Sequence, residues 1–209
     1  MASKKQVLMV EGRDDEHVVK HICGERNLGR IDNIHKYDGK DPLIESIGVR
    51  LKESGITTLG IILDADTDVQ ARWQSVVSRL NDAGYIEVPT SPAPDGTVIN
   101  APANSLLPRV GVWLMPDNKV PGILEDFLRF FVADDDPLLA HVDESMMKIP
   151  SDQIKFNGFR RPKARIHTLL AWQEEPGKPF GQAISARYLD PHLPGVQTFA
   201  DWLSRTFFL

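Results

Sequence analysis

Three acidic residues, Glu11, Asp64 and Asp66, stand where the chain can bring carboxylates together from distant segments. The apolar run Gln6-Val7-Leu8-Met9-Val10 leads into Glu11, and Thr57-Thr58-Leu59-Gly60-Ile61-Ile62-Leu63 leads into Asp64. Carboxylates held close repel one another and raise each other's pKa unless a cation neutralises them. Hard oxygen donors with no cysteine beside them suit Mg²⁺ or Mn²⁺ far better than zinc. His17 and His21 are four residues apart, but the pair lacks the glutamate of a zinc-protease helix and reads as surface or packing. The chemistry to expect of a metal held by such a set is activation of water and stabilisation of developing negative charge.

Positioning these groups requires strands that end at one edge. Val7 to Val10 and Thr57 to Leu63 are nearly continuous apolar runs, the pattern of strands buried on both faces. Between and after them lie helical stripes: Val18, Val19, Ile22 and Cys23; Leu43, Ile44, Ile47 and Leu51; Trp73, Val76, Val77 and Leu80. Asp14 is the expected cap of the first helix. Ile31 to Tyr37 alternates as a more exposed strand. This β-α-β-α-β-α order with short connections predicts an α/β fold, a mainly parallel sheet flanked by helices. In such a sheet ligands bind beyond the carboxyl ends of the strands, where Glu11 and Asp64 lie. Asp66, two residues on, shares a side with Asp64 if the chain stays extended.

The five prolines from Pro89 to Pro108 make a loop region with one strand candidate at Val98-Ile99. Arg109 to Met115 is a further strand, and Pro121 is expected to open a helix through Leu124, Phe127, Leu128 and Phe131. The remainder reads as helical over 137–147, 162–172 and 196–208. Trp113 and Trp172 are expected in packing, Cys23 in the core, and Asp134-Asp135-Asp136 in a capping loop.

Composition narrows the class. A hydrophobic share of 42% and a charged share of 25% are ordinary for a globular domain. No apolar run approaches the roughly 20 residues of a membrane helix, and the start Met1-Ala2-Ser3-Lys4-Lys5 does not resemble a secretion signal. A single cysteine suits a reducing compartment, so the expected location is cytoplasmic. The net charge of -5 argues against a protein that coats nucleic acid. Residues 1–150 carry a balance of -8 and residues 151–209 one of +3, so the acidic candidates and the basic surplus lie in different parts of the chain.

Val10-Glu11-Gly12-Arg13-Asp14-Asp15 after one strand, with Leu63-Asp64-Ala65-Asp66 after another about 50 residues on, resembles the Toprim signature. That domain occurs in topoisomerases, bacterial primases, RNA-maturation nucleases and the OLD (overcoming lysogenization defect) nucleases. The resemblance covers roughly residues 5–130 and implies a Toprim-like (Rossmann-like) core over 1–133 with a helical C-terminal extension over 134–209 packed on it. Against the OLD nucleases it extends further. Asp15 matches their acidic residue four places after the glutamate. Leu124-Glu125-Asp126-Phe127-Leu128 resembles their later acidic helix. Lys163, in Arg160-Arg161-Pro162-Lys163-Ala164-Arg165, matches their lysine beyond it. Small, stand-alone Toprim-like bacterial proteins are similar too, and show a like Met-Pro-Asp-Asn turn before such a helix.

The resemblance implies metal-dependent phosphoryl transfer on DNA or RNA, with Mg²⁺ or Mn²⁺ held by Glu11, Asp64 and Asp66 and a second site at Asp15 and Glu125. Lys163 then stabilises the phosphate, with Arg160, Arg161 and Arg165 beside it on the nucleic acid. OLD nucleases are fused to an ATPase, whereas this chain has no Gly-x-x-x-x-Gly-Lys-Ser/Thr loop; an ATPase partner would be a separate subunit. The alternatives are a non-catalytic Toprim-like binding or regulatory subunit and a small-molecule phosphohydrolase.

Overall fold

The structure, a computed structural model, describes residues 5–209. The reading of Met1 to Lys4 as no secretion signal lies outside the described residues. Strands β1 (Lys5–Val10), β2 (Asn33–Lys36), β3 (Ile56–Asp64), β4 (Thr97–Ile99) and β5 (Arg109–Met115) form one sheet in the order β2-β1-β3-β5-β4. The first four in that order run parallel, and β4 pairs antiparallel with β5 at the far edge. Helix α1 (Arg13–Glu25) joins β1 to β2, α2 (Lys40–Leu51) joins β2 to β3, and α3 (Val69–Ala83) follows β3. The chain continues through α4 (Leu124–Leu128), α5 (Pro137–Lys148), α6 (Arg161–Ala171), α7 (Phe180–Ser185) and α8 (Pro194–Phe207). The α/β class with a mostly parallel sheet between helices therefore holds. No described helix is long and apolar enough to cross a membrane.

The central strands are apolar over most of their length because both faces are covered there. Val7 and Met9 of β1, Ile61 and Leu63 of β3, and Val112 and Leu114 of β5 pack against Leu43, Ile47 and Leu51 of α2 and Trp73, Val76 and Leu80 of α3. Leu8 and Val10, Ile62, and Trp113 and Met115 point the other way, against α1, α4 and the C-terminal helices. The two-residue period of a strand sorts its side chains between these layers.

Helix α8 lies close over the sheet. Gly60 of β3 and Gly111 of β5 leave room for Phe207 and Thr206, and a Cβ at either glycine would come within 2.4 Å of those side chains. Trp202 donates its indole N–H to the Thr97 carbonyl, 3.2 Å away, and packs with Phe199 around Trp113. One apolar cluster thus contains residues from both sides of the 133/134 boundary.

Several local expectations change. Gly12, not Asp14, caps α1, and its N–H donates to the Asp15 carboxylate. Helix α4 begins at Leu124, three residues after Pro121, where Asp126 accepts the Ile123 N–H; a 3-10 turn then carries Arg129–Phe131. Proline fits a first turn, but here capping by Asp126 sets the start. Asp136 caps α5 through the Leu139 N–H, as expected of its loop. Trp172 is 46% exposed and belongs to no core cluster, since α6 ends just before it. Cys23 is buried.

Candidate functional site

The carboxyl ends of β1 and β3 meet where expected. Glu11, one residue past β1, accepts the Asp64 backbone N–H with Oε1 at 2.8 Å, so the side chain that ends one strand is tied to the last residue of its neighbour. Gly12 turns the chain into α1 and places Asp15 in its first turn, where Oδ2 accepts the Gly12 N–H at 3.0 Å. Helix α4 brings in Glu125, which is only 5% exposed and lies within the field of Asp64 and Asp15. Lys163 reaches across from α6, with Nζ 2.9 Å from Glu125 Oε1. Five residues singled out in the sequence, Glu11, Asp15, Asp64, Glu125 and Lys163, are therefore gathered from three helices and two strand ends.

The electrostatics follow from burial and crowding. Burial pushes the Asp64 carboxyl up to about 9, with further upward pressure from Glu11, Asp15, Glu125 and Asp66. Asp15 is pushed up to about 7, first by burial and then by Glu11, partly offset by its hydrogen bond from Gly12. Burial also raises Glu11, against the lowering effect of the Asp64 N–H. Asp64 Oδ1 is buried and has no hydrogen-bond partner among the described residues. A buried acceptor left unpaired is costly, and so is a knot of acids without positive charge. Among the described residues no group of three or more His, Cys, Asp or Glu is already drawn in to hold a metal ion as it stands. The mutual repulsion nevertheless places these acids within each other's field, and an all-oxygen donor set with an orphan oxygen at its centre fits a hard divalent cation.

Asp66 departs from the sequence reading. The chain does not stay extended after Asp64: Asp66 adopts φ 55°, and its N–H donates to the Gly122 carbonyl at 2.9 Å. Aspartate tolerates this left-handed conformation better than most residues. Its Oδ2 is held by Lys40 at 2.7 Å and by Arg72 at 2.5 Å, while Arg72 Nε also donates to the Asp64 carbonyl. Asp66 lies in the field of Glu11 and Asp64 but is already counter-charged. Lys40 and Arg72 were missed in the sequence. Both sit in the first turn of a helix that follows a parallel strand, the position that faces the carboxyl edge, and that rule could have found them.

The basic segment divides. Arg160 and Arg161 are exposed at the start of α6. Arg165 is turned into a two-pronged pair with Asp143, its Nε 2.6 Å from Oδ1 and Nη2 on Oδ2. Asp126 caps α4, and Asp68 caps α3 through the Ala71 N–H. His21 bonds to Ser185 Oγ at 2.9 Å, a packing role between α1 and α7.

Crowded acids make the metal-free protein sensitive to base. Asp64 rises from an ordinary 3.8 to about 9, and Asp15 from 3.8 to about 7, so between these limits the folded chain keeps protons that the unfolded chain has released. Stability from these groups is complete below about pH 4 and declines as pH rises through 7 and 9. Thermal melting in a chelator is expected to give a falling Tm from pH 5 to pH 9. A Tm that rises over this range would show that the two acids are ionised in the folded state.

No curated protein and no solved structure matches the chain. A family model described as "protein of unknown function (DUF3226)" matches residues 5–208. The match runs from β1 through α8, so it takes in the sheet, the acidic cluster and the C-terminal helices together. On that span the chain belongs to the DUF3226 family.

Proposed function

We propose that this chain has a Toprim-like core and catalyses metal-dependent phosphoryl transfer on nucleic acid, as phosphodiester hydrolysis. The observation that carries this reading is the Asp64 carboxylate: among the described residues it has an unpartnered buried oxygen, and Glu11, Asp15 and Glu125 press on it with no lysine or arginine paired to it. Glu11 and Asp64 would hold Mg²⁺ or Mn²⁺, with Asp15 and Glu125 available to a second ion. The metal would supply Lewis-acid polarisation of the phosphate and an activated water.

The protein's own residues set up the rest. The Asp64 N–H fixes the Glu11 carboxylate, and the Gly12 N–H fixes Asp15, so two of the donors are oriented by backbone. Arg72 and Lys40 hold Asp66 away from a free ligand role and bring positive charge to the rim. Lys163 neutralises Glu125, and its half-exposed ammonium can turn to a phosphate oxygen.

A non-catalytic regulatory subunit acting with a separate ATPase is the second reading. It is favoured by the internal neutralisation of Asp66 and Glu125, which lessens the need for a cation at those two acids. One experiment separates the two. Purified protein is incubated with single- and double-stranded DNA and RNA, with Mg²⁺, Mn²⁺ or chelator. Fragments formed only with metal support hydrolysis; metal uptake without cleavage of any substrate supports the regulatory subunit.

A further inference from the structure

Beside the carboxylate cluster runs a groove of about 490 Å³ that shares Glu125 with it. Much of its lining is stiff and apolar: Pro116, Pro121, Pro162, Ile166 and Phe130. We propose that this groove seats one unpaired nucleotide of a single-stranded nucleic acid, next to the carboxylates; the inference rests on the phosphodiesterase reading and names the form of its substrate.

Size and charge both point this way. The volume falls in the roughly 300–1,000 Å³ range of pockets that enclose one small molecule, which suits a single nucleotide and not a paired duplex. Ring-like apolar walls accept the face of any base without reading its edge. Three acids line the groove: Glu125 is paired with Lys163 and Asp143 with Arg165, while Asp126 is held by the Ile123 N–H and keeps its charge. Of the three arginines, Arg129 is held by Asp134 and the Val132 carbonyl, and Arg165 by Asp143. Arg161 is exposed and has no ion-pair partner among the described residues. Arg161, at the start of α6, is thus the one guanidinium of the groove left outside an ion pair among the described residues. A base against the prolines with its phosphate at Arg161 satisfies both.

Gly158 offers a clean test. It lines the groove, and a Cβ placed there meets nothing within 4 Å, so Gly158→Trp adds bulk to the lining without a clash at its Cβ. Binding of a short labelled single strand, a blunt duplex and a free mononucleotide is measured by fluorescence anisotropy or competition in Ca²⁺, with Arg161→Ala as the second variant. Wild type is expected to bind the strand more tightly than the duplex or the mononucleotide. Both variants are expected to lose about tenfold in strand affinity, within the range for one stacked base, at unchanged Tm. Equal strand affinity in wild type and Arg161→Ala overturns the proposal. Wild type that binds no strand, or binds duplex or mononucleotide as well as strand, also overturns it. Cleavage by wild type is scored separately. Weakened strand binding in the variants with no cleavage by wild type keeps the groove and removes the nuclease. Cleavage by wild type with undiminished binding in the variants does the reverse.

Discussion

Asp64→Asn is expected to abolish Mn²⁺-dependent cleavage and, in the same protein, to raise the melting temperature of the metal-free form at alkaline pH. The two effects have opposite signs because one carboxylate is responsible for both. Partners that merely orient a metal ligand are worth roughly 10- to 100-fold, so on the proposed reading of Asp64 as a central ligand its removal should cost more than about a hundredfold in rate. Stability moves the other way. In the metal-free protein Asp64 must take up a proton or face Glu11, Asp15 and Glu125 as a buried anion. Asparagine has nearly the same shape and carries no charge, so that cost disappears. The gain should be clear at pH 8 and vanish below about pH 3, where Asp64 is protonated in the folded and the unfolded chain alike. Cleavage assays and thermal melts on the same preparations decide the matter. Undiminished cleavage would mark a contaminating nuclease, and a lower Tm at pH 8 would make Asp64 a structural residue.

The second large effect concerns the seat of α8. Gly111→Val is expected to destabilise the protein by about 3 kcal/mol or more, the upper range for overpacking a filled core. The first added carbon alone would lie 2.4 Å from Thr206 Cγ2 and 2.5 Å from its Oγ1. For a chain of this size that corresponds to a fall in Tm of roughly 6–12 °C. Gly48→Ala in α2 is the matched opposite: its Cβ meets nothing within 4 Å, and a helical glycine replaced by alanine should add roughly 0.5–1 kcal/mol. Melting of Gly111→Val at the wild-type temperature would mean that α8 does not press on the sheet as the structure has it.

Sequence reading reached the sheet and the heart of the site for a physical reason. Apolar runs buried on both faces and acids placed directly after them are local features, and the parallel topology carries them to one edge. Glu11 bonded to the backbone of Asp64 follows from that alone. What the sequence did not show depends on side chains meeting across elements. Asp66 pairs with Lys40 and Arg72 from two different helices, and Arg165 pairs with Asp143 of α5. Neither pairing has a spacing that marks it. The left-handed turn at Asp66 was equally hidden, since the same Asp-Ala-Asp reads as extended until the Gly122 carbonyl is known to accept its N–H. The short α7 lacks enough turns to show a period, and Trp172 was placed in packing because helix ends are the least certain feature of an apolar pattern.

The packing of Trp202 on Trp113 has an optical consequence. Their rings lie 5.7 Å apart at 45°, with Phe199 against both. Indoles this close and this inclined couple their electronic transitions, and the resulting circular-dichroism couplet exists only while the C-terminal helix is seated. Its amplitude reports that seating separately from the amide signal of the sheet, so detachment of the helix can be followed by light alone.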